Sequence, residues 1–263
     1  MLEIVNATKI FNSGSVDEKI ALNGLSLTLN DGDFVTVIGS NGAGKSTLLN
    51  AIAGTFTLES GEIKIDGKDI TKMPEHKRAR FLGRVFQDPN MGTAGDMNIE
   101  ENLALAYRRG KKHTLKWGIT KNERASYKDM LAKLGLGLEK RLEAKVKLLS
   151  GGQRQAITLL MAAMNSPRLL LLDEHTAALD PKTAEIVLGI TDEIVQENNL
   201  TTLMVTHNMR DAIKHGNRLI MMSDGKVVVD VSGETKKNLT VEQLIQMFSN
   251  ASQNDALSDK AIL

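Results

Sequence analysis

The chain has 263 residues, 41% of them hydrophobic, which is enough for one or two domains with a sizeable core. Its 33 basic and 32 acidic residues leave a formal net charge of +1, so no global field draws it to nucleic acid or to an anionic membrane surface, and any such contact must be local. Cysteine is absent, which excludes disulfides and thiolate zinc sites, and the histidines His76, His113, His175, His207 and His215 are spaced too widely for an evident metal cluster. Met1 to Phe11 breaks its apolar positions with Glu3, Asn6 and Lys9 and does not read as a secretory signal, while the longest apolar runs, Ile157 to Met164 and Leu169 to Leu172, are too short to cross a bilayer. The expectation is a soluble chain, and the absence of disulfides is consistent with the cytosol.

Leu2 to Val5 and Leu25 to Leu29 read as short strands on either side of a polar loop, Asn12 to Lys19. Phe34 to Ile38 (FVTVI) is a β-branched run ending at Gly39, and a helix from about Lys45 to Ala53 follows, stopped by Gly54. Gly61 to Ile70 alternates around Asp66-Gly67, the turn pair of a tight hairpin. Arg84 to Phe86 is a further strand candidate. From about Pro89 to Pro167 strand signals vanish and helical patterns take over, notably Asn98 to Arg108 and Glu123 to Leu134, which reads as a helical insertion. Parallel-sheet patterning returns with Leu169 to Leu172 and Thr202 to Thr206, separated by the helical Thr183 to Gln196. Arg218 to Met222 and Lys226 to Val231 flank Asp224-Gly225, Val241 to Phe248 reads as a closing helix, and Ser249 to Leu263 as a loose tail.

Gly39 to Ser46 (GSNGAGKS) matches G-x-x-x-x-G-K-[ST], with Thr47 directly after it. Its glycines let the backbone N–H groups of Gly39, Ser40, Asn41, Gly42, Ala43 and Gly44 turn inward on phosphate oxygens, and the helix N-terminus adds partial positive charge. Lys45 would reach the β- and γ-phosphates of a nucleoside triphosphate, and the Ser46 hydroxyl would ligate magnesium. Asp173 ends the Leu169 to Leu172 run, where a parallel strand would deliver its carboxylate to the same sheet edge as Lys45 and hold the magnesium directly or through water. Glu174 follows at once, placed to polarise an attacking water. His207 closes the Thr202 to Thr206 strand and could bond the γ-phosphate or the water. Gln87, after the Arg84 to Phe86 strand, could touch magnesium or the water.

Leu149 to Gln153 (LSGGQ) begins with a capping box, Ser150 and Gln153, opening a helix over Arg154 to Met164. A capped helix start bearing Gly151 and Gly152 is itself an anion site of bare N–H groups. One polypeptide cannot easily aim two such helix ends at one γ-phosphate, so a head-to-tail homodimer is expected, each Ser150 to Gln153 closing on the ATP held by the other subunit.

Taken in order, these motifs resemble the ATP-binding cassette of ABC transporters, and the likeness runs from about Leu2 to at least Gly233. It implies an α/β fold: a P-loop NTPase core with an antiparallel β subdomain and an inserted α-helical subdomain. The division expected is one domain, with 1–87 and 168–235 as core and β subdomain, 88–167 helical and bearing LSGGQ, and 236–263 the C-terminal helix and tail. The resemblance also implies that Phe11 stacks on adenine, that Gln87 is the Q-loop, that Asp173 and Glu174 form the Walker B pair, that Ala177 to Asp180 form the D-loop beside the nucleotide, and that His207 is the switch histidine. It further implies ATP hydrolysis with magnesium, a transmembrane permease docked near Gln87 to Glu101, and a place at the cytoplasmic face of the membrane.

His175 stands where the family usually has proline, and Ala177 and Ala178 where its D-loop has serine; neither change removes a catalytic group. The stretches DEHTAALDP and THNM resemble ATPase subunits of bacterial uptake systems for amino acids of the tryptophan or tyrosine type, which adds an extracellular substrate-binding protein to the expected partners. The alternatives are a soluble ABC ATPase acting on nucleic acid or ribosomes, disfavoured because no basic extension or long coiled coil is present, a nucleotide-gated binding switch with little turnover, disfavoured because no catalytic position is replaced by an inert residue, and the ATPase of an exporter. The basic stretch Arg108 to Lys116, with Trp117 beyond it, reads as a solvated face, and no nucleic acid is expected among the partners.

Overall fold

The computed structural model of the chain describes residues 1–111 and 118–260. Its elements in chain order are β1 (Leu2–Phe11), β2 (Lys19–Leu29), β3 (Phe34–Gly39), α1 (Lys45–Ala53), β4 (Ser60–Ile65), β5 (Lys68–Asp69), α2 (Glu75–Arg78), β6 (Leu82–Val85), α3 (Ile99–Tyr107), α4 (Lys121–Lys133), α5 (Gly151–Ala163), β7 (Leu169–Asp173), α6 (Pro181–Glu197), β8 (Thr202–Val205), α7 (Met209–Lys214), β9 (Arg218–Ser223), β10 (Lys226–Ser232), α8 (Gly233–Lys237) and α9 (Val241–Lys260). They fall into two units, Met1–Arg78 with Thr201–Leu263, and Ala79–Leu200.

In the first unit an antiparallel sheet runs in the order β2-β1-β4-β5. Leu25, Leu27 and Leu29 are buried while Ser26 and Thr28 between them are exposed, the period-two pattern of a sheet with one wet face. β1 and β2 extend well past the expected Leu2 to Val5 and Leu25 to Leu29, because their pairing steps over irregularities near Ala7 and Lys9 and continues to Phe11↔Lys19. A bulge interrupts alternation without ending a strand, so the pattern alone stops too early. The expected hairpin is present: Asp66 and Gly67 both have positive φ, as a two-residue I′ turn between β4 and β5 requires.

The same unit holds β3 between two parallel neighbours, β8 and β9, with β10 antiparallel on β9. Phe34 to Ile38 are all buried, the uniform burial that a strand covered on both faces demands. Ile38, Leu219 and Met221 pack with Ala212 of α7, and Leu239 and Leu244 close that cluster, with Met247 and Phe248 against it. The last helix therefore has a core to sit on, and it continues to Lys260 through the stretch read as a loose tail; residues 249–260 contain no glycine or proline to stop it.

Arg78 is the largest fully buried side chain here, 1% exposed. It donates from Nη1 to the carbonyls of Ala51 and Ile52 (both 2.8 Å), from Nε to Met73 (2.7 Å) and from Nη2 to Thr71 (2.8 Å). A helix leaves its last carbonyls without partners, and α1 has no basic residue of its own in that turn, so Arg78 caps the helix of the glycine-rich loop from outside. Burial lowers the pKa of its guanidinium.

In the second unit β6 and β7 pair in parallel, Leu82↔Leu169 through Val85↔Leu172. Gly83 allows the Ala162 carbonyl of α5 to come within 2.5 Å of where a Cβ would stand, so the helix lies directly on the strand. No strand occurs between β6 and β7 among the described residues, and α3, α4 and α5 each open with a reciprocal capping box: Asn98 with Glu101, Thr120 with Glu123, Ser150 with Gln153. Of the basic stretch, Arg108 bonds the Gly118 carbonyl and Glu123, and Arg109 reaches inward to the Ala162 carbonyl; residues 112–117, including His113 and Trp117, lie outside the described residues.

Candidate functional site

The first unit carries the glycine-rich loop. β3 ends at Gly39, and Gly44 caps α1 with φ 97°, a left-handed conformation that a side chain tolerates poorly. A Cβ there would also stand 2.4 Å from the Ala21 carbonyl. Gly44→Ala is therefore expected to cost about 1–3 kcal/mol through strain and collision, seen as a lowered melting temperature together with weakened nucleotide binding; an unchanged protein would show that the loop tolerates another path.

Between those glycines Ser40, Asn41 and Gly42 are exposed, while Lys45 is 7% exposed. Its Nζ donates to the carbonyls of Gly39 (2.7 Å) and Ser40 (3.0 Å), so the ammonium lies across the mouth of its own loop. Ser46, in the first turn of α1, is exposed, and Thr47 half-buried. Lys19, at the start of β2, brings its Nζ to 3.2 Å from where a Cβ on Gly42 would be. Sequence reasoning missed this second cation; the one signal was a lysine closing the polar loop.

β3 and β8 are in register at Val37↔Val205, so Gly39 and His207 each emerge two residues further on, at the same edge of this sheet. His207 is exposed there. Phe11, at the end of β1, is 37% exposed and sits edge-on to Phe56, with ring centroids 5.4 Å apart. Lys9 Nζ lies 5.3 Å and 5.1 Å from the two rings, a cation shared between two π faces.

The second unit carries the acidic pair. With Val85 opposite Leu172, Asp173 is level with Phe86 and Glu174 with Gln87, so Gln87 and Glu174 leave one strand edge together. Asp173 is half-buried, with Arg84 Nη2 3.7 Å from its carboxylate, and Arg84 in turn lies over the Phe86 ring at 4.5 Å. Glu174 takes φ 45°, an unusual value for a non-glycine residue and one that recurs at functional turns. His175 is 2% exposed. Its Nε2 donates to Thr191 Oγ1 (3.1 Å), which donates onward to the Val187 carbonyl (2.8 Å). This tie pins the residue after Glu174 to α6, in the place where proline would have stiffened the turn.

Ser150 Oγ accepts from Gln153 N, and Gln153 Oε1 from Ser150 N, both at 3.3 Å. Gly151 is exposed and Gly152 buried; a Cβ on Gly152 would stand 2.1 Å from Thr183 Cγ2, and one on Gly151 3.3 Å from Leu179. The Ala177 to Asp180 turn and the start of α6 thus pack on this helix end. Asp180 is itself the cap of α6, accepting from Thr183 N at 3.1 Å, and hydrogen bonds from Thr183 hold its carboxyl below the usual range. Among the described residues no three His, Cys, Asp or Glu side chains converge as a metal cage, and no helix is long and apolar enough to cross a membrane.

The model of the ABC transporter family matches residues 22–177, from within β2 to just past the acidic pair. The chain is 47% identical over 251 residues to the tyrosine transport ATP-binding protein of Clostridioides difficile, covering 95% of this chain and all of that protein. It is 37% identical to a methionine import ATP-binding protein of Enterococcus faecalis, covering 95% of this chain and 77% of that one. Among solved structures it is similar to an ATP-binding cassette captured as a dimer in a post-hydrolysis state with ADP and Pi, at a TM-score of 0.75 and 29% identity over 88% of this chain and 98% of that one. The glycine-rich loop, the acidic pair and the capped LSGGQ helix thus stand within a match that spans most of the chain, and the protein belongs to the ABC transporter family as one of its ATP-binding, ATP-hydrolysing subunits.

Proposed function

We propose that this chain drives a bacterial importer of an aromatic amino acid of the tyrosine type, working as a head-to-tail homodimer at the cytoplasmic face of the membrane. Its partners in this reading are a multi-span permease and an extracellular substrate-binding protein that delivers the amino acid. The observation that carries the reading is 47% identity along the whole length of a tyrosine transport ATP-binding protein. The dimer is supported by the single glycine-rich loop and single LSGGQ helix in each chain, and by a structural relative captured as a dimer.

Lys45 exchanges the Gly39 and Ser40 carbonyls for the β- and γ-phosphates, with the N–H groups of Gly39 to Thr47 around them and Lys19 adding a second positive charge beside Gly42. Phe11 stacks on adenine. Ser46 in the first unit and Asp173 and Gln87 in the second would each offer an oxygen, the donor type that suits Mg2+ held jointly with substrate phosphates rather than in an all-protein cage. Magnesium held there would supply positive charge to offset that of the phosphates. Glu174 orients the attacking water and takes its proton, and His207 hydrogen-bonds the γ-phosphate. The N–H groups at the Ser150 to Gln153 end of the partner's α5 close over the same γ-phosphate, and Asp180 holds the adjoining start of α6 in place.

ATP binding therefore favours the closed dimer and hydrolysis opens it, and work is done because the permease prefers a different conformation in each state. That permease docks near Gln87 to Glu101, where the helical stretch 88–167 begins and where Met91 is 68% exposed. Removing Lys45 loses charge-assisted bonds of about 1.5–3 kcal/mol each, so Lys45→Ala is expected to weaken ATP binding by about ten- to a hundredfold, measured by titration with a fluorescent ATP analogue; unchanged affinity would remove Lys45 from the phosphate site. The transport reading is tested by deleting the gene in its native cell and measuring labelled tyrosine uptake. Loss restored by the parent chain, and not by Lys45→Ala, supports it. Undiminished uptake of tyrosine and tryptophan contradicts it.

A further inference from the structure

The start of β2 runs alongside the glycine-rich loop. The Ala21 carbonyl stands 2.4 Å from where a Cβ on Gly44 would be, and two residues earlier Lys19 brings its Nζ to 3.2 Å from the corresponding point on Gly42. Across the sheet, Lys19 is paired directly with Phe11, the last pair in the register of β1 on β2. Phe11, Lys19 and Gly42 are all exposed. The lysine side chain therefore leads from the strand end that carries the aromatic ring to the middle of the loop. Its ammonium makes no hydrogen bond or ion pair among the described residues, whereas Lys45 Nζ already holds the Gly39 and Ser40 carbonyls.

The two lysines thus stand at different points along a nucleotide. A triphosphate whose base lies on Phe11 enters the loop past Lys19 and ends at Lys45. The phosphates nearest the base meet Lys19 first, and those are the groups that ATP and ADP have in common.

We propose that Lys19 is a nucleotide-binding residue that grips the α- and β-phosphates, holding ATP and ADP alike, while the γ-phosphate falls to Lys45. A contact made equally with substrate and product tightens both without favouring the transition state. Lys19 then keeps the nucleotide in place through cleavage and retains ADP afterwards, and Lys45 tells one nucleotide from the other. The proposal rests on the phosphate and adenine assignments above.

The test is calorimetric titration of the parent, Lys19→Gln and Lys19→Arg with ADP and with a non-hydrolysable ATP analogue, with melting temperatures taken without nucleotide. Lys45→Ala and Phe11→Ala are titrated alongside to mark the two ends of the site. Lys19→Gln is expected to weaken ADP and the ATP analogue by the same factor, about tenfold. Lys19→Arg should regain most of that loss, since a guanidinium also donates to phosphate. The melting temperature should move little, because the side chain is exposed. A loss confined to the ATP analogue would put Lys19 at the γ-phosphate and overturn the proposal. So would a lowered melting temperature with weakened binding that arginine does not restore, which marks a structural role. Unchanged affinities in both Lys19 variants, with Lys45→Ala weakened, overturn it and leave the loop assignment standing. Lys45→Ala and Phe11→Ala both binding as tightly as the parent would remove the phosphate and adenine assignments and this proposal together.

Discussion

Glu174→Gln is expected to leave ATP bound and stop its cleavage, lowering turnover about 10²–10⁴-fold, the usual contribution of a positioned general base. Glutamine keeps the shape of the side chain and loses only its capacity to take a proton. The backbone around it is held independently: Glu174 sits in a left-handed turn whose next residue, His175, is tied through Thr191 to α6. The substitution should therefore not disturb nucleotide affinity. Because the opening step is gone, ATP and magnesium should accumulate a dimer that light scattering detects and that the parent forms only transiently. Phosphate release within tenfold of the parent would take Glu174 out of the chemistry.

The second large effect concerns stability rather than turnover. Arg78→Met removes the donors that satisfy four carbonyls, of Ala51, Ile52, Thr71 and Met73, inside a site too closed for water to replace them easily. Unsatisfied buried acceptors accumulate quickly, and a loss of about 3–5 kcal/mol is expected, or a fall of about 10 °C in melting temperature for a chain of this size. Since two of the carbonyls end α1, nucleotide should partly restore the loss by binding only the folded loop. A melting temperature within 2 °C of the parent would show that α1 does not depend on this external cap.

Much of this arrangement could be read from residues alone, for identifiable reasons. The phosphate loop, the hairpin at Asp66-Gly67 and the Ser150–Gln153 capping box are local: each is specified by residues within a few positions of one another, and each appears where those residues stand. The parallel strands β3, β7 and β8 declared themselves as uninterrupted apolar runs, and the common edge of Gly39 and His207 follows from their register. The contacts that sequence reasoning did not see join residues far apart in the chain. Arg78 reaches α1 from 26 and 27 residues away and Gln155 reaches Phe86 from 69, distances at which no short pattern records a partner. Lys19 at Gly42 and Arg84 at Asp173 were illegible for the same reason. Asp180 was placed beside the nucleotide by resemblance, whereas a simpler local signal, an acid immediately before Pro181, marks the helix cap it forms.

The account stands on this chain working beneath a membrane partner, and the most direct measurement is to tag it in its native cell, solubilise membranes in mild detergent and identify what copurifies in stoichiometric amount. The expected result is a multi-span membrane protein recovered with two copies of this chain, together with a secreted or lipid-anchored binding protein from the same system. Recovery from the soluble fraction alone, with ribosomes, DNA or no partner, would contradict it.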